Sequence, residues 1–289
     1  RLPPAMSRRS PAPAPPQPAA APPAPREPLT RRLRDLADEL VFVFVIVMFV
    51  KLFLVELYKI PTGSMTPTLL GGHIAHVDLN EDGRRDIIYF DQDQSYALAF
   101  VWNGERYVAR PDLNPDGPFL DRLIRAGRTG KQFDRILVNK LAYWFRGPRR
   151  GEIVIFKVPR SIYRREAPIY IKRLVGEPND LLTFDPAGRL IVNGRLQEEP
   201  DFFKTQRYNP VIRVTTNHFE RIPDIHYLPE DRHSVRLESI AIPEGHYYVF
   251  GDNTAGSLDS RYWGGVEQDH FKGRAFLRVW PLTQFNYLK

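Results

Sequence analysis

The sequence has 289 residues, a formal net charge of +7 and no cysteine. The absence of cysteine excludes disulfides, a cysteine nucleophile and a cysteine-ligated zinc site. The positive charge fits an anionic membrane surface as well as nucleic acid, but no nucleic-acid-binding motif accompanies it. We therefore predict no nucleic-acid partner.

The first 58 residues predict a tail followed by a membrane anchor. Residues 1–28 are dominated by proline and alanine. This composition cannot form a packed core, so the segment is predicted to be disordered. Residues 29–58 are predicted to be a helical lead-in and one transmembrane helix, because the apolar run 40–58 has about 19 residues, enough to span a bilayer. A buried core helix and a cleaved signal peptide are the alternatives.

The charges beside the apolar run predict its orientation. The basic residues just before it are Arg26, Arg31, Arg32 and Arg34. By the positive-inside rule the N-terminus is cytoplasmic and everything after the run lies on the outer face of the membrane. A functional group that follows the run closely is therefore expected near the outer bilayer surface.

The rest of the chain predicts a mainly β protein. Asn193-Gly194 between two short apolar runs predicts a β-hairpin, and the helix pattern outside the anchor falls at 118–126. Runs rich in β-branched and aromatic residues predict strands at 151–158, 169–175, 245–251 and 273–280.

The segment IPTGSMTPTL, residues 60–69, contains a candidate nucleophile, Ser64. Taken alone, a serine between glycine and methionine is more simply a structural loop residue. A serine nucleophile needs an activating base, and none of the seven histidines lies in a recognisable triad motif. Lysine can serve if burial lowers its pKa. Lys172, on an apolar predicted strand, fits this requirement, and Lys157 competes with it on the same grounds.

A polar loop, GDNTAGSLDSRYWG, follows the strand predicted at 245–251. It brings an acid and an arginine, Asp259 and Arg261, close enough in sequence to pair. Its hydroxyl residue Ser257 is able to hydrogen-bond a nearby lysine. A plain solvated loop is the alternative interpretation.

Four segments, in order along the chain, resemble the bacterial type I signal peptidases, which are serine-lysine proteases of the cytoplasmic membrane. The segments are IPTGSMTPTL, RGEIVIFK (150–157), YIKRLVGEPND (170–180) and GDNTAGSLDSRYWG (251–264). The resemblance implies that Ser64 is the nucleophile and Lys172 the general base. It implies an oxyanion hole made by the Thr62 hydroxyl and the Ser64 backbone N–H. Ser257, Asp259 and Arg261 are implied supporting residues, and we expect no cofactor and no metal.

The same resemblance implies the domain organisation. An antiparallel β catalytic core is expected from 59–71, 134–180 and 242–289, with a second β region at 181–241 inserted in it. Residues 72–133 are an insertion relative to the family pattern, and the sequence assigns them no role. Thr254, Ala255 and Gly256 replace the arginine, aspartate and asparagine that are usual in the last motif.

The implied substrates are the signal peptides of exported preproteins, cleaved after a small-x-small sequence. The substrate is expected to lie extended between the serine and lysine segments and to add to them as a strand. Shallow apolar pockets are expected from Ile60, Pro61, Met65, Leu69, Tyr170 and Ile171.

Three other functions remain open from the sequence. A catalytically inactive, membrane-tethered binding module of the same fold is the first alternative. A self-cleaving repressor-type serine-lysine protease shares the dyad but lacks a membrane span. A conventional serine-histidine-aspartate hydrolase is the third, and it would use one of the histidines as the base.

Overall fold

The computed structural model describes residues 29–90, 96–159, 167–213, 225–229 and 234–288. The tail predicted to be disordered, 1–28, lies outside the described residues. The chain divides into two compact units, with the boundary between Val47 and Met48. The prediction of a mainly β protein is confirmed, because every strand pair in the described part is antiparallel and the sheets hold most of the second unit.

The N-terminal helix α1 spans Leu29–Phe49, and a π-helical turn continues it over Val50–Leu54. No residue of α1 is buried. Among the described residues, no helix combines the length and the apolar character needed to cross a bilayer.

The predicted helix from residue 40 to residue 58 is too long at its C-terminal end. Val55–Lys59 forms the first strand, β1, and its residues pair with residues 135–139. The chain turns to extended geometry at Val55, where φ is −135° and ψ is 149°. Hydropathy alone cannot separate a short strand from the end of an apolar helix, and here the sheet supplies the backbone hydrogen bonds.

The remaining elements follow in chain order. The further helices are α2 (Gly117–Arg125), α3 (Phe202–Thr205) and α4 (Ser260–Trp263). The further strands are β2 (Gly71–Val77), β3 (Asp86–Phe90), β4 (Ala97–Trp102), β5 (Tyr107–Ala109), β6 (Thr129–Phe133), β7 (Arg135–Asn139), β8 (Ile153–Lys157), β9 (Ile169–Gly176), β10 (Leu181–Phe184), β11 (Leu190–Val192), β12 (Arg195–Leu196), β13 (Val211–Arg213), β14 (Ile225–Pro229), β15 (Ser234–Ala241), β16 (His246–Phe250), β17 (Val266–Glu267), β18 (Phe271–Trp280) and β19 (Asn286–Tyr287).

The first sheet collects strands from distant parts of the chain. Its order is β1-β7-β18-β8-β9-β16-β17, and β19 pairs with β18. The central strand β8 is buried except at its last residue, Lys157. One apolar cluster beneath it contains Ile60, Met65 and Leu69, so the segment around Ser64 is anchored in the core of this sheet.

The insertion folds as a second sheet with its own core. The order is β5-β4-β3-β2-β6. Helix α2 confirms the helix predicted at 118–126; the Asp116 side chain caps it by accepting the Phe119 N–H, and a proline lies in its first turn. Its buried side chains Leu120 and Leu123 pack against strands β2 and β3. The insertion is therefore a structured module.

The third sheet lies between β9 and β16 in the sequence. Its order is β12-β11-β10-β15-β13, and β14 pairs with β15. The predicted hairpin at Asn193-Gly194 is confirmed: both residues have positive φ, 51° and 77°, as a tight hairpin turn requires. Val175 and Phe250, from β9 and β16, belong to the same apolar cluster as this sheet. The third sheet thus packs against the strand that carries Lys172.

Candidate active site

The segment that carries Ser64 is a single turn of 3-10 helix, Gly63–Met65, which we call the nucleophile turn. It begins directly after the extended residue Thr62. Met65 is fully buried, whereas Ser64 is half-buried. The turn is therefore fixed in the core on one side while the serine side chain remains accessible on the other.

Lys172 lies against this serine. The Lys172 Nζ donates a hydrogen bond to Ser64 Oγ at 2.8 Å, although the two residues are 108 positions apart. Lys172 is in β9, opposite Val154 of the buried strand β8, and is only 4% exposed. Its ammonium is also 5.2 Å from the centroid of the Tyr170 ring. Strand β9 thus places the buried Lys172 amine within hydrogen-bond distance of the accessible Ser64 hydroxyl.

Burial lowers the pKa of Lys172 to about 8, from 10.5 for an ordinary lysine. Desolvation of the ammonium is the largest cause; the positive charge of Arg261 acts in the same direction, while Asp259 and Asp252 raise the pKa. At pH 7 roughly one lysine in ten is then neutral, compared with fewer than one in a thousand for an exposed lysine. Lys172 is therefore able to accept a proton near neutral pH.

The competing bases are not placed for this role. Lys157 ends β8 opposite Ile169, and its hydrogen-bond partners in the described part do not include Ser64. No histidine of the described residues bonds to Ser64, whose side-chain contacts there are with Lys172 and Thr62. The Thr62 Oγ1 is 3.5 Å from Ser64 Oγ, so the predicted oxyanion-hole hydroxyl lies beside the nucleophile.

Asp259 and Arg261 form the pair that their spacing suggested. The Arg261 guanidinium donates two hydrogen bonds to the Asp259 carboxylate, at 2.8 and 2.9 Å, and both side chains are fully buried. Asp259 also accepts the Gly251 N–H at 2.9 Å. This pair therefore ties the far end of the polar loop back to its beginning.

Ser257 does not make the bond to Lys172 that the sequence suggested. Its hydroxyl is buried and has no hydrogen-bond partner among the described residues. It nevertheless lies at the site: a Cβ placed on Gly251 would be 2.2 Å from the Ser257 Oγ and 2.4 Å from the backbone oxygen of Ser64. Gly251 thus leaves the space in which the Ser257 hydroxyl approaches the nucleophile turn.

Asn253 is a contact that the sequence analysis missed. Its backbone N–H donates to the Ser64 carbonyl at 3.1 Å, and its side-chain Nδ2 donates to the Gly63 carbonyl at 3.1 Å. Its Oδ1 accepts the Gly256 N–H at 3.0 Å. The Gly-Asp-Asn sequence after a strand indicates a turn. Nothing in it indicates that the asparagine hydrogen-bonds a segment about 190 residues earlier.

A second buried ion pair was also missed. Arg173 donates two hydrogen bonds to Asp252, at 2.9 and 2.8 Å, with both side chains at most 2% exposed. Arg173 also bonds the Gly151 carbonyl at 2.6 Å, and its guanidinium lies 3.8 Å from the centroid of the Phe202 ring. The pair joins the residue after Lys172 to the residue before Asn253.

The residues predicted to form the pockets differ in exposure. Ile60, Met65 and Leu69 are at most 1% exposed and belong to the core, with Ile171 packed against them. Pro61 is exposed and Tyr170 is half-buried. The first three therefore support the nucleophile turn from below, and the surface left for a ligand is that of Pro61, Tyr170 and Ile171.

Glu267, Asp269 and His270 form a separate surface group, with possible ligand atoms within 4.8 Å of one another. Exposed acidic groups of this kind are common without an ion. Neither the serine nor the lysine of the site belongs to it.

An accessible serine hydroxyl that is hydrogen-bonded to a buried lysine is the arrangement used by serine-lysine hydrolases. The chain belongs to the signal peptidase family, peptidase S26, whose family model matches residues 33–127 and 124–280.

Named relatives agree with this assignment. The chain is similar to a probable signal peptidase I-2 of Synechocystis, with 31% identity over 54% of this chain and 59% of the relative. It is 29% identical to a signal peptidase I of Leptolyngbya laminosa, over 54% of this chain and 64% of the relative. It is 29% identical to a signal peptidase IB of Staphylococcus aureus, over 67% and 90% of the two chains. The matches thus span less than two thirds of the first two relatives.

One solved structure is also similar, a signal peptidase I from Enterococcus faecalis with 25% identity. The match covers 44% of this chain and 95% of that one, with a TM-score of 0.28. This TM-score is too low for the two folds to be compared in detail.

Proposed function

We propose that this chain is a membrane-associated serine endopeptidase that removes signal peptides from exported preproteins with a Ser64–Lys172 dyad. The observation that carries the proposal is the 2.8 Å contact between the Lys172 amine and the Ser64 hydroxyl, together with the burial of the lysine. The membership in the signal peptidase family supports the choice of substrate.

The chemistry begins with Lys172 in its neutral form. The amine lone pair accepts the Ser64 hydroxyl proton while Oγ attacks the scissile carbonyl, so that a tetrahedral intermediate forms. The ammonium then gives its proton to the leaving amine, and the acyl-enzyme remains. A water molecule, deprotonated by the same lysine, hydrolyses the ester and restores the serine.

Two donors are proposed for the oxyanion. They are the Thr62 hydroxyl, which lies beside the nucleophile, and the backbone N–H of Ser64 itself. The Ser64 N–H belongs to the same 3-10 turn as the attacking oxygen, which supports its choice as the second donor. Removal of one such donor typically lowers kcat by about 10² to 10³.

The sheet offers a place for an extended substrate. In the described part, residues 169–172 of β9 pair with β8 on one side, and the pairing with β16 starts only at Arg173. Strand β1 ends the sheet order and pairs with β7 alone. In the described part, the stretch of β9 that carries Lys172 therefore has one unpaired edge, and so does β1, the strand before Ser64. A peptide that binds by strand addition requires such an edge.

The shape of this surface favours small side chains. Ile60, Met65 and Leu69 fill the space beneath the nucleophile turn, so a substrate residue beside Ser64 meets a closed floor. This burial supports the proposal that alanine is accepted beside Ser64 and that a bulky side chain is not. A small-x-small sequence before the scissile bond is the expected substrate signature.

We also propose that the chain works at the outer face of the bacterial cytoplasmic membrane. The apolar side chains of α1 from Leu40 to Phe49 are mostly exposed, which is unfavourable in water. Lipid contact along this segment, with the arginines before it on the cytoplasmic side, would place the site where signal peptides leave the bilayer.

The proposed function is tested with purified chain in detergent and a model preprotein that carries an Ala-x-Ala sequence. We expect cleavage after the second alanine, with a rate that rises about tenfold per pH unit up to pH about 8 and then levels off, because neutral Lys172 is the reactive form. Product mass and initial rates from pH 5 to 10 are the measurements.

A matched preprotein with phenylalanine in place of the second alanine is the control and should remain intact. A chelator should leave the rate unchanged. Binding of both preproteins without cleavage at any pH would favour the alternative of an inactive, membrane-tethered binding module.

A further inference from the structure

The insertion reaches the active site through one aromatic ring. Tyr89, in strand β3, lies over the nucleophile turn: a Cβ on Gly63 would be 2.1 Å from the Tyr89 ring. A Cβ on Gly72 would be 3.1 Å from the same ring. Gly63 is the residue directly before Ser64. The Tyr89 ring, which belongs to the insertion, occupies the space that a side chain at Gly63 would need.

A second tyrosine of the insertion reaches the polar loop. A Cβ on Gly256 would be 2.6 Å from the Tyr96 hydroxyl and 2.8 Å from the Asn253 Nδ2. Gly256 stands in the part of the last motif that departs from the family pattern, where asparagine is usual. The smaller residue leaves the space that Tyr96 occupies.

These contacts form a closed ring around the nucleophile turn. The rings of Tyr89 and Tyr96 meet edge to face, with centroids 6.4 Å apart. Tyr96 abuts Gly256, whose N–H bonds to Asn253, and Asn253 bonds back to Gly63. The nucleophile turn is thus held by the polar loop on one side and by the insertion on another.

Resting on the function proposed above, we propose that the insertion is part of the active site and that Tyr89 and Tyr96 are positioning residues for Ser64. Their contacts described above are with the nucleophile turn and the polar loop, and these contacts restrict the turn that sets the distance between the Ser64 hydroxyl and the Lys172 amine. A displacement of about 1 Å at a reacting group can lower the rate about 10²-fold. The insertion therefore contributes to kcat through geometry.

Single substitutions of Tyr89 test this role. Tyr89→Ala should lower kcat about 10- to 100-fold with KM within about threefold of wild type, because the turn is loosened while the substrate surface remains. Tyr89→Phe keeps the ring and should have a higher kcat than Tyr89→Ala. Tyr107→Ala is the matched control, since Tyr107 packs against the same apolar cluster but contacts Trp102 rather than the turn.

A double substitution separates positioning from a loss of folding. Gly63→Ala should lower kcat at least about 100-fold, because its methyl group overlaps the Tyr89 ring. The backbone at Gly63 is not in a glycine-only region, so space is the obstacle. Gly63→Ala combined with Tyr89→Ala should therefore recover about tenfold or more of the lost kcat.

The outcomes distinguish this inference from the function on which it rests. If wild-type chain does not cleave the preprotein, the proposed function fails. If it cleaves, and Tyr89→Ala has wild-type kcat while the double variant is no faster than Gly63→Ala, the positioning role is overturned. A Tyr107→Ala variant that loses kcat as much as Tyr89→Ala would also overturn it, because the effect would then be general to the insertion.

Discussion

Replacement of Lys172 by methionine is expected to lower kcat by about 10⁴-fold and, at the same time, to stabilise the folded protein at pH 7. The rate falls because the serine loses its general base. Methionine has a similar volume and carries no charge, so the buried site loses its desolvated ammonium without a large cavity. Burial that lowers the pKa of a catalytic lysine is thus expected to lower the free energy of unfolding as well.

The sign of the stability effect follows from the two pKa values. The pKa of Lys172 is about 8 in the folded protein and 10.5 in an ordinary lysine. Between these values the unfolded chain binds more protons, so stability rises with pH. The destabilisation is fully present below pH about 8 and is lost progressively as pH rises from about 8 to 10.5. The difference corresponds to roughly 3 kcal/mol as an order of magnitude.

Urea unfolding at pH 7 and pH 10.5 measures the free energy of unfolding of wild type and of Lys172→Met. We expect the variant to be the more stable protein at pH 7. The difference between the two free energies of unfolding should be smaller at pH 10.5. Lys157→Met on the neighbouring strand is the control, and neither kcat nor this pH dependence should change. An equal pH dependence in wild type and Lys172→Met would show that the amine is not desolvated.

Removal of the Asp252 carboxylate should have the largest effect on stability. Asp252→Ala leaves the Arg173 guanidinium buried with its main partner missing, and breaking a buried pair in this way typically costs about 3 to 5 kcal/mol. Because the pair joins the residue after Lys172 to the residue before Asn253, kcat should fall as well. Chemical denaturation and kcat measured on the same preparation test both effects.

Two further variants make this prediction specific. Asp252→Asn keeps the shape and part of the hydrogen bonding, so its loss of stability should be smaller than that of alanine. Asp112→Ala breaks the exposed ion pair with Arg110 in the insertion and should leave the unfolding midpoint unchanged. Equal effects of Asp252→Ala and Asp112→Ala would contradict the role of the buried pair.

The candidate site was predicted from the sequence by the resemblance of four segments to one family, and the residue types narrowed the choice of base. A serine without a histidine partner requires another base, and the apolar strands left Lys172 and Lys157 as candidates until the resemblance to the signal peptidases implied Lys172. Successive side chains of a strand face opposite ways, so Lys172 and its neighbour Arg173 reach different partners. In the structure Lys172 meets Ser64 and Arg173 meets Asp252.

The remaining features depend on long-range packing. The helix that ends at Leu54 could not be separated from strand β1, because the apolar run continues to Tyr58 and only pairing with β7 distinguishes the two elements. Ile60 and Met65 were assigned to pockets by their apolar character, but burial in the core decides their place. The role of the insertion was hidden because the contact of Tyr89 with Gly63 exists only after two separate sheets pack together.

The most direct test of the proposed dyad is the cleavage of one preprotein by wild type and by Ser64→Ala, with both proteins shown to be folded by circular dichroism. The wild type should produce the mature chain with its new N-terminus directly after Ala-x-Ala, as read by mass spectrometry. Ser64→Ala should produce none above the uncatalysed background. Cleavage at that bond by Ser64→Ala would contradict the assignment of Ser64 as the nucleophile.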